Sequence, residues 1–170
     1  YNNPDLGFLA KKILDKLEIH NEFFYKGCCG MPQLEGGDIE SVSQKASEMS
    51  SKLNKYIDEG YTVLSIVPSC TLMLKFEWPL LLPKNVDVKR LSEKTRDICE
   101  FLVENFNDKN IKLLKPVESE NNVSLHISCH SRAQNIGQKA TELLKLIPQL
   151  KLDVIERCSG HGGSWGMKKG

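Results

Sequence analysis

The sequence predicts an α/β fold of two pseudo-repeated βα units with parallel strands, and three observations carry that expectation. Apolar, β-branched runs at Tyr61 to Val67, Val123 to Ser128 and Leu152 to Glu156 read as strands, and residues 19 to 25, ending in Phe-Phe-Tyr, read as a fourth. Helical patterns separate them, the alternation that parallel strands require of their crossovers. Each of the four predicted strands runs into a cysteine, at Cys28 with Cys29, at Cys70, at Cys129 and at Cys158. The thiols are therefore expected at the carboxyl ends of the strands, the edge where ligands bind in open α/β sheets.

Taken in order, Asn3 and Pro4 read as the N-cap and first position of a helix that runs to about Leu17, with Leu9, Ile13, Leu14 and Leu17 as its apolar stripe. The strand over 19 to 25 then delivers the chain to Gly27-Cys28-Cys29-Gly30. Asp38 caps an amphipathic helix whose apolar positions, Ile39, Val42, Ala46, Met49, Leu53, Tyr56 and Ile57, recur at steps of three and four, and Gly60 ends it. A buried strand over Tyr61 to Val67 leads into Pro68-Ser69-Cys70. Thr71 to Leu82 contains Phe76 and Trp78 and is interrupted by Pro79 and Pro83, so it is expected to be a short helix followed by irregular chain, its aromatics serving the core or a partner.

Val88, Leu91, Thr95, Ile98, Leu102 and Phe106 predict one long helix, with Cys99 at the edge of its apolar face as a small buried hydrophobe. Residues 107 to 122 are polar and contain Pro116, which marks a linker and places a boundary between a unit over 1–115 and a second over 116–170. Beyond it, strand, helix (Gln134 to Ile147) and strand form a βαβ unit whose parallel strands end at Cys129 and Cys158.

Composition bounds the function. The chain of 170 residues is 40% apolar and 26% charged with a net charge of +1, which gives no footprint for nucleic acid. No apolar run is long enough to span a bilayer. The start at Tyr-Asn-Asn-Pro and the stop at Lys168-Lys169-Gly170 suggest a piece of a longer chain. Six cysteines without the spacing of a small secreted scaffold point to a reducing cytoplasm.

The Cys28-Cys29 pair is hard to explain as packing, because neighbours on a strand point to opposite faces. A tight loop, permitted by the flanking glycines, turns both sulfurs toward one centre. Adjacent cysteines cannot bridge each other without strain, so a metal or cluster held by several thiolates is the natural occupant. The chain also repeats: an offset of 130 residues places Gly7 on Gly137, Leu14 on Leu144, Cys28 on Cys158 and Gly30 on Gly160, with Ser159 in the place of Cys29.

These residues resemble the tandem cysteine-rich CCG domain. The resemblance rests on Cys28-Cys29-Gly30-Met31-Pro32, Pro68-Ser69-Cys70, Cys129-His130, Arg157-Cys158-Ser159-Gly160, and Gly163-Ser164-Trp165-Gly166 followed by Lys168-Lys169. Over nearly its whole length the chain is similar to the CCG-containing subunits of heterodisulfide reductase and of anaerobic glycerol-3-phosphate dehydrogenase, and to iron-sulfur subunits of glycolate and lactate oxidation. The resemblance implies an iron-sulfur cluster, a 4Fe-4S cluster of the non-cubane kind, held by Cys28, Cys29 and Cys70 in the first copy and by Cys129 and Cys158 in the second. It further implies an electron-transfer subunit, non-catalytic or co-catalytic, in a cytoplasmic or partner-anchored oxidoreductase. Its partners would be a flavin-containing dehydrogenase or other redox subunit, with a quinone or a thiol/disulfide as acceptor. Val67 stands at the first cysteine of the family's Cys-x-x-Cys, and Ser159 replaces the second cysteine of the pair, so neither half carries the full ligand set within this chain.

Around the second copy, His130 and His161 are candidate ligands or proton donors, and Arg132 and Arg157 are candidates to offset thiolate charge. His126 reads as structural, and His20 carries no signal. Two alternatives stay open beside the cluster. One is a zinc-stabilised interaction module using the same thiols. The other is a redox protein cycling a Cys129–Cys158 disulfide, which needs their Cα atoms within about 7 Å.

Overall fold

The computed structural model describes residues 3–106, 114–116, 122–163 and 166. Most of the predicted linker and the Ser164-Trp165 and Lys168-Lys169 pairs lie outside them. The first helix, α1 (Asp5–Lys16), starts one residue later than expected, with Pro4 rather than Asn3 at the N-cap position and no side-chain cap. Of its predicted stripe only Leu14 is buried, while Leu9 and Ile13 are exposed. Residues 19–25, expected as a strand, form none. They run as irregular chain whose rings meet neighbours edge-on, Phe23 against Phe8 at 5.8 Å and Phe24 against Tyr56 at 5.5 Å between centroids.

After Gly30 comes a short helix, α2 (Met31–Glu35), then the long α3 (Ile39–Asp58), capped by the Asp38 carboxylate accepting from the Ser41 amide at 3.1 Å. Val42, Ala46, Leu53 and Ile57 of α3 are buried, as its periodicity predicts. They pack with Met73, Leu74, Trp78, Val88, Leu91 and Cys29 into the main core.

Strand β1 (Val63–Ser65) is shorter than predicted and only half-buried. The chain then stays helical from Pro68 to Leu81, contrary to the expectation that Pro79 would interrupt it. It runs as α4 (Pro68–Leu72), a π turn (Met73–Glu77) and α5 (Trp78–Leu81). A proline has no N–H and its ring crowds the carbonyl four residues back. In the wider turn the Trp78 amide bonds to the Met73 carbonyl five residues back, which accommodates Pro79 without ending the helix.

The single long helix expected over Val88 to Phe106 is two helices, α6 (Val86–Lys94) and α7 (Ile98–Asn105), separated by the three-residue strand β2 (Thr95–Asp97). Asp97 causes the break. Its carboxylate accepts from the Cys99 amide at 2.8 Å while Glu100 accepts from the Asp97 amide at 3.1 Å, a reciprocal cap that starts a new helix. Glu100 also takes Lys75 at 2.9 Å, with both side chains about one-tenth exposed, which ties α7 to the π turn.

Strand β1 pairs with β2 in parallel, Val63 opposite Thr95 and Ser65 opposite Asp97. A second parallel pair joins β3 (Asn122–His126) to β4 (Lys151–Ile155), Asn122 opposite Lys151 and His126 opposite Ile155. Between them lie two short helices, α8 (Cys129–Ala133), which the sequence does not predict, and α9 (Lys139–Lys145), the part of the helix expected over Gln134 to Ile147 that forms. Gly137, at φ 78°, lies between the two helices. The fold is thus α/β with short parallel strand pairs. Helix α8 packs on α4 and α9 on α7, and buried Gln134 donates to the Pro68 carbonyl at 3.4 Å. Among the described residues no helix is long and apolar enough to cross a membrane.

Candidate functional site: two thiol centres

Among the described residues a cysteine follows each of the four strands, although the set of strands differs from the predicted one. Cys70 follows β1, Cys99 follows β2, Cys129 follows β3 and Cys158 follows β4. Cys28 and Cys29 instead reach the site from an irregular segment.

The first centre joins residues far apart in sequence. Cys29, buried, donates its thiol to Cys70 Sγ at 3.2 Å, and Cys28 stands exposed beside them. Two features fix Cys29. Gly30 is buried at φ 90°, a conformation that side chains resist, and a Cβ there would lie 3.3 Å from Val42 Cγ2. The Cys29 carbonyl accepts from the buried indole Nε1 of Trp78 at 3.1 Å. Trp78, expected in the core or against a partner, is core and also holds the site.

The Cys29–Cys70 hydrogen bond separates the acidities of the two thiols. It holds the Cys29 proton in place and, with burial, drives that pKa well up. The same bond stabilises the Cys70 thiolate and lowers its pKa, in spite of burial and the nearby Cys28. Of the two, Cys70 is therefore the thiol that ionises first, while Cys29 keeps its proton. Two thiolates on one tetrahedral metal stand about 3.8 Å apart, given bonds of about 2.3 Å. A spacing of 3.2 Å needs an opening of about half an ångström for that role, whereas a disulfide at about 2.05 Å needs closure by more than one. The donor set thus fits a thiophilic group. No three His, Cys, Asp or Glu side chains are gathered at metal-binding geometry among the described residues.

Cys99 stands apart. Half-buried in the first turn of α7, its thiol is pushed up to about 11 by burial first and the Asp97 carboxylate second, which fits the expected inert role.

The second centre is an open cleft of about 610 Å³ at the carboxyl ends of β3 and β4, lined by Cys129 and Cys158 together with His126, His130 and His161. Its Cys158 turn repeats the Cys28 turn: the Gly160 amide donates to Cys158 Sγ at 3.3 Å with φ 72°, as the Gly30 amide does to Cys28 Sγ at 3.4 Å. The 130-residue offset therefore holds for the backbone of the turn, but not for the segment before it, where residues 21–25 are irregular and their counterparts 151–155 form β4. Arg132 Nη2 donates to Cys129 Sγ at 3.6 Å, the charge-offsetting position expected of it. His126 Nε2 donates to the Arg157 carbonyl at 2.7 Å and so braces the Cys158 loop, the structural role expected, while its ring also faces the cleft. His20 bonds Tyr61 at the surface, at 2.8 Å.

Glu35 is a site residue that the sequence does not single out. It comes from α2 of the first half yet lines the second cleft, and a Cβ on Gly163 would lie 2.8 Å from its Oε1. Nothing in the local pattern of Met31 to Glu35 signals that reach across the molecule.

Residues 1–75 match the model of the CCG cysteine-rich domain. The chain is 26% identical over 179 residues to lactate utilization protein A of Geobacillus thermodenitrificans, covering 98% of this chain and 70% of that protein. It is also 26% identical over 173 residues to lactate utilization protein A of Oceanobacillus iheyensis, covering 96% and 67%. No solved structure matches. The stretch that matches the CCG cysteine-rich domain, residues 1–75, contains Cys28, Cys29 and Cys70, the thiols of the first centre.

Proposed function

We propose that this chain is the iron-sulfur electron-transfer component of an oxidoreductase, with Cys28, Cys29 and Cys70 as the thiolate ligands of its first centre. The observation that carries the reading is the convergence of Cys29 and Cys70, 41 residues apart in sequence, to 3.2 Å between sulfurs. A bound 4Fe-4S cluster of the non-cubane kind would supply reversible one-electron chemistry at a potential set by charge, hydrogen bonds to sulfur and exposure. The chain's own residues supply the rest. Cys70 provides a thiolate that the Cys29 hydrogen bond stabilises, Cys29 gives up its proton when both sulfurs ligate, and the Gly30 amide directs a hydrogen bond at the Cys28 sulfur.

Cys129 and Cys158 form the second centre, where Ser159 leaves one thiol fewer and the histidines offer nitrogen donors. The names of the relatives support a small 2-hydroxy acid as the origin of the electrons. A flavin-containing dehydrogenase would deliver them, and a quinone or a thiol/disulfide couple would receive them, in a reducing cytoplasm.

The test is iron and acid-labile sulfide content with an electronic spectrum, on protein prepared and reconstituted without oxygen. The expected result is iron and sulfide with broad visible absorption that bleaches on reduction. Cys29→Ala and Cys70→Ala are each expected to lose most of the first-centre iron, while Cys99→Ala retains it. Stoichiometric zinc and a colourless protein would overturn the reading in favour of a zinc-held module.

A further inference from the structure

Lys26, Lys45 and Lys52 line, together with the exposed Cys28, Glu48 and Met49, an open depression of about 200 Å³. Lys45, Met49 and Lys52 lie four and three residues apart on α3 and so share one helix face. The loop carrying Cys28 rests on that face, since a Cβ on Gly27 would lie 3.8 Å from Met49 Cε. Among the described residues none of the three lysines makes an ion pair, whereas Lys11, Lys75 and Lys139 all do. The one carboxylate in the depression, Glu48, accepts from Gln44 at 2.9 Å. In a chain of net charge +1, three unpaired cations beside one thiol are a local concentration of charge.

We propose that this face is the docking surface for an acidic redox protein, which would bring its own centre against Cys28. The significance of the location rests on the preceding reading of Cys28 as the outermost ligand of the first centre; the docking itself does not. Exposed ammonium groups on long flexible stems steer and orient a negatively charged surface more than they clamp a ligand. The depression is shallow and lacks a buried charged donor, so a small anion would find no enclosed site there, whereas a protein surface would cover all three lysines at once.

A plant-type ferredoxin, an acidic carrier, is a suitable probe. Acetylation of surface lysines, read by mass spectrometry on the anaerobically reconstituted protein with and without ferredoxin, should show Lys26, Lys45 and Lys52 protected and Lys89 and Lys94 unchanged. Binding to immobilised ferredoxin should weaken about tenfold between low and moderately high salt, and by about as much in the triple variant K26E/K45E/K52E, with K89E/K94E as the neutral control. Protection spread evenly over all lysines, or binding indifferent to both salt and the triple variant, would overturn the proposal. So would protection of the three lysines by a small carboxylate at millimolar concentration but not by ferredoxin, which would mark a small-anion site. Iron content is measured on the same sample, so a protein that binds ferredoxin through these lysines but holds no iron would refute the cluster reading and leave the docking surface standing.

Discussion

The buried indole of Trp78 donates to the carbonyl oxygen of Cys29 at 3.1 Å, so the residue that anchors the main core also sets the position of a site thiol. Replacing it with Phe keeps most of the ring and removes the donor, leaving a buried carbonyl without its partner. Such a loss costs about 1–3 kcal/mol. Trp78→Phe is therefore expected to lower the urea midpoint by a corresponding amount and to release first-centre iron faster under chelator challenge. An unchanged iron off-rate would show that the hydrogen bond serves stability alone.

The hydrogen bond from Cys29 to Cys70 has a signature in metal-free protein. Cys70 should be alkylated by iodoacetamide at a pH below the ordinary thiol range, because its thiolate is stabilised by the Cys29 donor. In Cys29→Ala that donor is gone and the pH–rate profile of Cys70 should move upward, as mass spectrometry of the modified peptide would record. A profile that stays in place would mean that Ser69, the lesser donor, governs Cys70 instead.

Cys99 links stability to pH in the opposite direction. Its folded pKa of about 11 lies above the ordinary value of 9.0, so the contribution is fully present below pH 9 and is lost as pH rises through 11. The difference in unfolding free energy between the parent and Cys99→Ala should therefore shrink over that window and stay level below it. Equilibrium urea titrations at pH 7, 9 and 10.5 would check this.

Lys75 and Glu100 pair with side chains 11% and 10% exposed. Lys75→Met strands Glu100 without a cation in a buried position, a change that costs about 3–5 kcal/mol. The double variant Lys75→Met/Glu100→Gln removes the stranded charge and should recover a substantial part of that loss. A double-mutant cycle showing simple additivity would mean that the ion pair is not coupled.

Much of the fold was legible because it rests on local signals. The Asp38 cap and the spacing of Val42, Ala46, Leu53 and Ile57 defined α3, and apolar runs located β1, β3 and β4. What was not legible rests on long-range pairing. Thr95–Asp97 is polar and falls within a helical pattern, and it becomes a strand only because Val63–Ser65 lies alongside. Residues 19–25 show the converse, having a strand's composition but no strand alongside. The candidate site divides in the same way. The candidate cysteines are singled out from turns rich in glycine and from expected strand ends, but the Cys29–Cys70 contact, the Trp78 anchor and the reach of Glu35 into the second cleft depend on tertiary placement.

The π turn between Cys70 and Trp78 has a consequence in angular terms. Eight residues of regular α-helix would rotate Trp78 about 80° away from the face that carries Cys70, at about 100° per residue. Absorbing one residue in the wider turn leaves about seven helical steps and brings the two within about 20° of one face. That alignment lets Cys70 meet the Cys29 sulfur while Trp78 meets the Cys29 carbonyl. The segment Met73–Glu77 should accordingly tolerate changes of side chain far better than an inserted residue, because one more residue would swing Trp78 by about 100° and take its indole away from the Cys29 carbonyl.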